Sequence, residues 1–341
     1  MPDIASANRQ WRLAARPHGL PVATDWEFRT EPVPIPADGE FLVRVLLISL
    51  DPAMRGWMNP GRSYVPPVGI GEVMRALCAA EVISSNHPDF RVGDTVTGTF
   101  GVQEYAISDG AGVTRVAADV APLTMYLSVL GMPGMTAYFG LLDIGRPVAG
   151  ETVVVSAAAG AVGMVVGQIA KIKGCRVVGI AGGAEKCRFL IEDLGFDAAI
   201  DYKNEDVRVA LKDRCPDRIN VYFDNVGGEI LDAALTRLAR HARIVICGSI
   251  SQYNNDGPMR GPANYMALLV DRARMEGFLV FDYHRRYPEA EAEMATWIAE
   301  GRLRSVEDVV TGIEHFPETL LKLYRGENFG KLILSTGYGT E

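Results

Sequence analysis

Beyond residue 125 the chain alternates between two hydrophobic patterns. Short apolar runs at 152–156, 176–181, 198–201, 219–224, 243–248 and 275–281 read as strands. Between them, 161–173, 184–194, 205–212, 229–238 and 263–270 carry apolar residues at helical spacing. Six strands alternating with helices predict an α/β fold with a doubly wound parallel sheet of six strands. The N-terminal third differs: 41–48, 77–83, 95–99 and 103–107 are strand-like runs separated by turns, which predicts an irregular β-rich domain. Proline and glycine crowd residues 52–71, as expected of a long loop over a site. After residue 287 a helix (289–298), a linker, a helix (317–324) and a strand (331–334) return to the first domain. The expected organisation is 1–125 with 300–341, and 126–299.

Two uncharged stretches, 120–142 and 152–170, approach the length needed to span a bilayer. The first is broken by Pro122, Gly131, Pro133 and Gly134, and the second reads as strand, Gly/Ala turn and helix, so no membrane segment is expected. No secretory signal is visible at residues 1–8. Lys and Arg total 34 against 42 Asp and Glu, a formal net charge of −8, which argues against nucleic acid or an anionic membrane as partner. The five cysteines, 78, 175, 187, 215 and 247, show neither C-x-x-C spacing nor a disulfide ladder, and suit a reducing cytoplasm. The five histidines are equally dispersed, so no metal site is expected.

Directly after the first αβ strand stands Ser156-Ala157-Ala158-Ala159-Gly160-Ala161-Val162-Gly163. Against the G-x-G-x-x-G dinucleotide fingerprint, Ala158 replaces the first glycine. Gly160 would admit the pyrophosphate and Gly163 would let helix and strand pack closely. Amides at the start of the helix would hold the phosphates. A site for NAD usually has Asp or Glu about 20 residues beyond these glycines. Here the second strand ends in Ala181-Gly182-Gly183, and Lys186 and Arg188 follow. That pattern favours NADP(H); the alternative is that both cations are solvated helix residues.

Several ordered blocks carry a resemblance: Gly131-Met132-Pro133-Gly134-Met135-Thr136-Ala137-Tyr138, the 157–163 turn, Phe223-Asp224-Asn225-Val226-Gly227-Gly228, residues 247–254, and Gly326-Glu327-Asn328-Phe329-Gly330-Lys331. Over essentially its whole length the chain resembles the zinc-independent medium-chain dehydrogenase/reductases, within them the prostaglandin reductase, alkenal double-bond reductase and curcumin reductase group. The resemblance implies a GroES-like β-rich catalytic domain beside a Rossmann domain. It implies NADPH-dependent reduction of the carbon-carbon double bond of α,β-unsaturated aldehydes and ketones, and a homodimer. It suggests cofactor contacts from Gly160, Ala161, Val162 and Gly163, from Lys186 and Tyr202 around the 2′-phosphate, and from Asn225. Cys247, Gly248, Ser249, Ile250, Ser251 and Tyr253, with Phe278, Leu279, Val280 and Asn328, complete the set.

Hydride transfer to the β-carbon leaves an enolate, whose oxygen needs hydrogen-bond donors. Tyr253 is the first candidate and Tyr64 the second; the plainer reading of Tyr64 is a loop residue stacked on Pro66 or Pro67. The chain departs from the family at Ala53, where tyrosine is usual, at Trp57, and at Arg75-Ala76, where glycine is usual. These departures bear on substrate range. A quinone oxidoreductase of the same superfamily and a non-catalytic NADPH-binding protein are the competing readings. A zinc alcohol dehydrogenase lacks its G-H-E sequence here, and a cysteine hydrolase lacks a histidine partner for Cys247.

Overall fold

The computed structural model describes residues 7–338, which fall into two units: one up to Leu127 and from Glu307 onward, the other Ser128–Val306. The first begins with an antiparallel pair, β1 (Ala7–Leu13) and β2 (Trp26–Pro32), in register from Ala7 opposite Pro32 to Leu13 opposite Trp26. Sequence pattern does not reveal β1, because its inward positions include Asn8 and Gln10, both buried. The Asn8 carboxamide is satisfied: its oxygen accepts from the amides of Glu104 and Tyr105, and its nitrogen donates to the Tyr105 carbonyl. Then follow β3 (Phe41–Ser49), α1 (Ala53–Trp57), β4 (Cys78–Ser85), β5 (Thr95–Gly98), β6 (Tyr105–Ser108) and β7 (Thr114–Arg115). The Pro/Gly-rich stretch is thus not all loop: α1 buries Met54, Arg55 and Trp57.

The second unit comprises α2 (Met132–Phe139), β8 (Thr152–Ser156), α3 (Ala161–Ile172), β9 (Arg176–Ala181), α4 (Ala184–Glu192), β10 (Ala198–Asp201), α5 (Val207–Arg214), β11 (Ile219–Asp224), α6 (Gly228–Leu235), β12 (Leu238–Ile246), α7 (Ala267–Val270), β13 (Arg274–Gly277) and α8 (Tyr287–Ala299). Its sheet is parallel, in the order β10-β9-β8-β11-β12-β13, the six-stranded doubly wound arrangement expected. All five residues of β8 are buried, which explains the unbroken Val run: a central parallel strand is covered on both faces. Of the two uncharged stretches, the first contains the eight-residue α2 and the second is β8, turn and α3. Among the described residues no helix is long and apolar enough to cross a membrane.

Several expected boundaries are corrected. The strand expected at 243–248 is β12, Leu238–Ile246, and the helix expected at 229–238 ends at Leu235. The sixth strand stops at Gly277, so residues 278–281 leave the sheet. Only Ala267–Val270 of the expected 263–270 helix is helical, and its residues bury little. The expected linker contains β14 (Glu307–Thr311), which α9 (Phe316–Arg325) and β15 (Lys331–Ser335) follow. These strands complete the first unit's sheet, β14-β15-β3-β4-β5-β7, with β6 beside β3. Phe316, Leu320 and Leu323 of α9 join its core.

Candidate active site

Strand order in the parallel sheet reverses between β8 and β11, and the chain leaves the two strands at Ser156 and Asp224. A crevice outside the carboxyl ends of strands at such a reversal is where doubly wound sheets bind ligands. A hydrogen-bond cluster fixes this point. The Ser156 hydroxyl donates to Asp224 Oδ1 at 3.0 Å and accepts from the Asn225 amide at 2.8 Å. Asn225 Nδ2 donates to the Ser156 carbonyl at 2.7 Å. The same carboxylate oxygen also accepts from the Tyr222 hydroxyl and from the amides of Val226 and Gly227, each within 3.1 Å. Burial pushes the Asp224 carboxyl above the usual range against the pull of these bonds.

The turn after β8 passes through Ala157, with φ +48°, to Gly160, which precedes the first turn of α3. The first amides of an α-helix have no partner within it, so Ala161, Val162 and Gly163 can offer N–H groups to an anion. Gly163 is required by packing. A Cβ there would lie 2.3 Å from the Ala157 carbonyl oxygen and 2.8 Å from Ala158 Cα, both backbone atoms. Next along the edge, β9 ends at Ala181 without a carboxylate, and Lys186 lies near the start of α4. The nearby Asp201 carboxylate is committed to the protein: it accepts from the Gly183 and Lys203 amides and from Asn204 Nδ2. Burial acts to raise its pKa, but these bonds prevail and hold it below the usual aspartate range. Tyr202 and Lys203 close over Gly182, whose Cβ would meet Tyr202 Cε1 and Lys203 Cε at 2.9 Å each. Sequence reasoning missed Lys203, although it directly follows Tyr202.

The segment after β12 lies along the 224–226 turn. The amides of Cys247 and Gly248 donate to the Asp224 carbonyl, that of Ile250 to the Asn225 carbonyl and that of Ser251 to the Val226 carbonyl. The Ser251 hydroxyl also donates to the Val226 carbonyl, at 2.6 Å. Gly227, at φ +68°, makes this possible: a Cβ would sit 2.3 Å from Ser249 Oγ. The Tyr253 hydroxyl folds back over Gly248 and accepts from the Ser249 amide at 3.1 Å. Desolvation lifts the Cys247 thiol to about 12, so it is protonated at neutral pH and is no nucleophile. Beyond β13, Phe278 packs against Gly140, Val280 is buried and Leu279 is more exposed.

The residues expected from the Rossmann half therefore all follow the carboxyl ends of strands on one edge of the sheet. Tyr64 and Asn328 belong to the first unit. Tyr64 is exposed on the 58–77 loop, and Asn328 Nδ2 donates to the Gly330 carbonyl at 3.0 Å. The neighbouring Lys331 is buried, its Nζ 2.7 Å from Asp51 Oδ1 and 2.8 Å from the Leu50 carbonyl.

Residues 9–116 match the family described as N-terminal domain of oxidoreductase, and residues 161–297 the family described as zinc-binding dehydrogenase. The chain is 46% identical over 332 residues to the NADPH-dependent curcumin reductase of Escherichia coli K12, covering 96% of each. The chain belongs to the zinc-independent medium-chain dehydrogenase/reductases. It is 41% identical over 334 residues to the NADP(+)-dependent 2-alkenal reductase of Nicotiana tabacum, covering 96% of this chain and 97% of that one. The crystal structure of CurA from Vibrio vulnificus in complex with NADPH superposes with a TM-score of 0.92 at 46% identity, covering 96% of this chain and 99% of that one.

As a member of this family the protein is an NADPH-dependent reductase of the group that includes the curcumin and 2-alkenal reductases. Its edge residues fit the cofactor: amides at the start of α3, a β9 end without carboxylate, and cations at 186 and 203. Despite the zinc-binding family description, no three His, Cys, Asp or Glu side chains group as metal ligands among the described residues.

Proposed function

We propose that the enzyme reduces the carbon-carbon double bond of α,β-unsaturated aldehydes and ketones, with the Tyr253 hydroxyl stabilising the enolate. When bound, NADPH supplies the hydride. The amides of Ala161, Val162 and Gly163 would hold the pyrophosphate that Gly160 admits, and Lys186, Tyr202 and Lys203 would bind the 2′-phosphate. Asn225, residues 247–251 and residues 278–280 would form the nicotinamide side. As the β-carbon gains hydride, the π electrons move to the carbonyl oxygen, and a donor placed there lowers the barrier. A proton from water or a hydroxyl then completes the α-carbon. The observation that carries this reading is the Tyr253–Ser249 hydrogen bond beside the switch point. A hydroxyl that accepts from a fixed amide is oriented and polarised as a donor. Tyr64 is the second candidate for the donor.

A homodimer is proposed on the edge of β13, which among the described residues pairs only with β12, and on exposed apolar residues before it, Tyr265, Met266, Leu269 and Val270. The five free cysteines support a reducing compartment, the cytoplasm. The test of the reaction is to mix the enzyme with NADPH and a medium-chain 2-alkenal and identify the product. The saturated aldehyde is expected; an allylic alcohol, or turnover with quinones alone, would overturn the proposal.

A further inference from the structure

At the opposite, amino-terminal edge of the same sheet lies a cleft of about 290 Å³, lined by Arg146, His241, Ala242, Arg243, Arg272 and Arg274. Apart from Ala242 every lining residue is an arginine or a histidine, in a chain whose net charge is −8. The fold forces these cations together. Arg243 and Arg274 are register partners on the adjacent parallel strands β12 and β13. Like charges directly opposite are unfavourable unless something compensates them.

The protein compensates this group only in part. Arg243 is paired with Glu151, and its guanidinium also donates to the Gly145 and Arg146 carbonyls. Arg274 reaches the Ile144 carbonyl and lies 3.7 Å from Glu276. Arg146 donates from Nε to the Asp143 carbonyl, and among the described residues neither it nor Arg272 has an acidic partner within 4.0 Å. The backbone sets the same residues apart. Among the described residues, Arg146, His241 and Arg272 are three of the five non-glycine residues with positive φ, at +47°, +63° and +51°. Such conformations persist where surrounding structure imposes them and cluster at ligand sites. His241 takes this conformation in a bulge of β12, where the register jumps from Leu238 to Arg243 against Ile219 and Val221.

We propose that this cleft is a second anion site, separate from the cofactor turn, that takes a compact phosphate-bearing anion. Planar guanidinium forks bind phosphate oxygens in pairs. The volume holds roughly ten waters, room for a diphosphate group with part of its hydration.

The test uses the whole protein saturated with NADP+, so that the cofactor turn is occupied, and inorganic pyrophosphate as probe in calorimetry at fixed ionic strength. One saturable site is expected, with inorganic phosphate binding more weakly. Arg272→Glu should weaken pyrophosphate binding by at least about tenfold, and added salt should weaken it in the parent protein. NADPH turnover should be unchanged in Arg272→Glu, which also reports that the variant is folded. Absence of saturable binding, or equal affinity in parent and variant, would overturn the proposal.

Discussion

Replacing Gly163 by alanine probes the join between fold and cofactor site, and its outcome can be worked from the geometry. The added methyl would stand 2.3 Å from the Ala157 carbonyl oxygen and 2.8 Å from Ala158 Cα, whereas ordinary contact begins at 3.4 Å. The first shortfall is 1.1 Å (3.4 − 2.3), and both opposing atoms are backbone, so α3 must move away from the end of β8. Overpacking of this kind costs about 1–3 kcal/mol. At about 2–4 °C per kcal/mol for a domain of this size, Tm of the cofactor-free protein should fall by roughly 2–12 °C. Displacing the first turn of α3 should also raise KM for NADPH. Gly160→Ala provides the contrast, because its Cβ would meet only the Ala157 carbonyl oxygen, at 3.2 Å. That variant should keep the Tm of the cofactor-free protein. It should still lose NADPH affinity by about tenfold or more, as expected when a phosphate can no longer reach a charge-assisted bond. Calorimetry without cofactor and initial-rate kinetics separate the two effects. If Gly163→Ala melts with the parent, or Gly160→Ala melts well below it, the packing argument is wrong.

Three further outcomes follow from the same site. Tyr253→Phe should lower kcat by about 10- to 100-fold, less than the loss of a sole oxyanion donor because other donors remain, with KM for NADPH little changed; unchanged kcat would move the donor role to Tyr64. Lys186→Ala should weaken NADPH use by roughly 10- to 150-fold through loss of a charge-assisted bond, while sparing NADH, and equal losses with both cofactors would remove Lys186 from the 2′-phosphate. Asp201 titrates below its ordinary value in the fold, so its bonds add stability above about pH 4 that is lost as pH falls through the folded pKa. Asp201→Asn should therefore be less stable than the parent at neutral pH and converge on it in acid, and denaturation curves that stay a constant distance apart from pH 7 to pH 2 would refute this.

Most of the Rossmann half was legible because its central elements follow a local rule. Thr152–Ser156, Arg176–Ala181, Ala198–Asp201 and Ile219–Asp224 stand where the apolar runs predict them. Strands buried on both faces must be continuously apolar, and the intervening helices bury one stripe. The pattern failed where burial is polar or partial. β1 turns Asn8 and Gln10 inward, and α7 and β13 lie on a largely exposed margin, where hydrophobic periodicity carries little information.

By itself the sequence determined the class of fold, the glycine turn and the absence of a carboxylate at the end of β9, since these depend on residue type and near neighbours. It also placed 13 of the 36 glycines between residues 126 and 200, the span of the cofactor turn and its flanking connections. Only the tertiary structure decided which distant groups meet. Ser156, Asp224 and Asn225 lock together across two strands 68 residues apart in sequence. Lys203 comes over Gly182, and the Tyr253 hydroxyl comes to the Ser249 amide. Four arginines from three separate segments gather at the far edge of the sheet. Strand order and register set these meetings, and both arise from the packing of the whole unit, which no local stretch of sequence encodes.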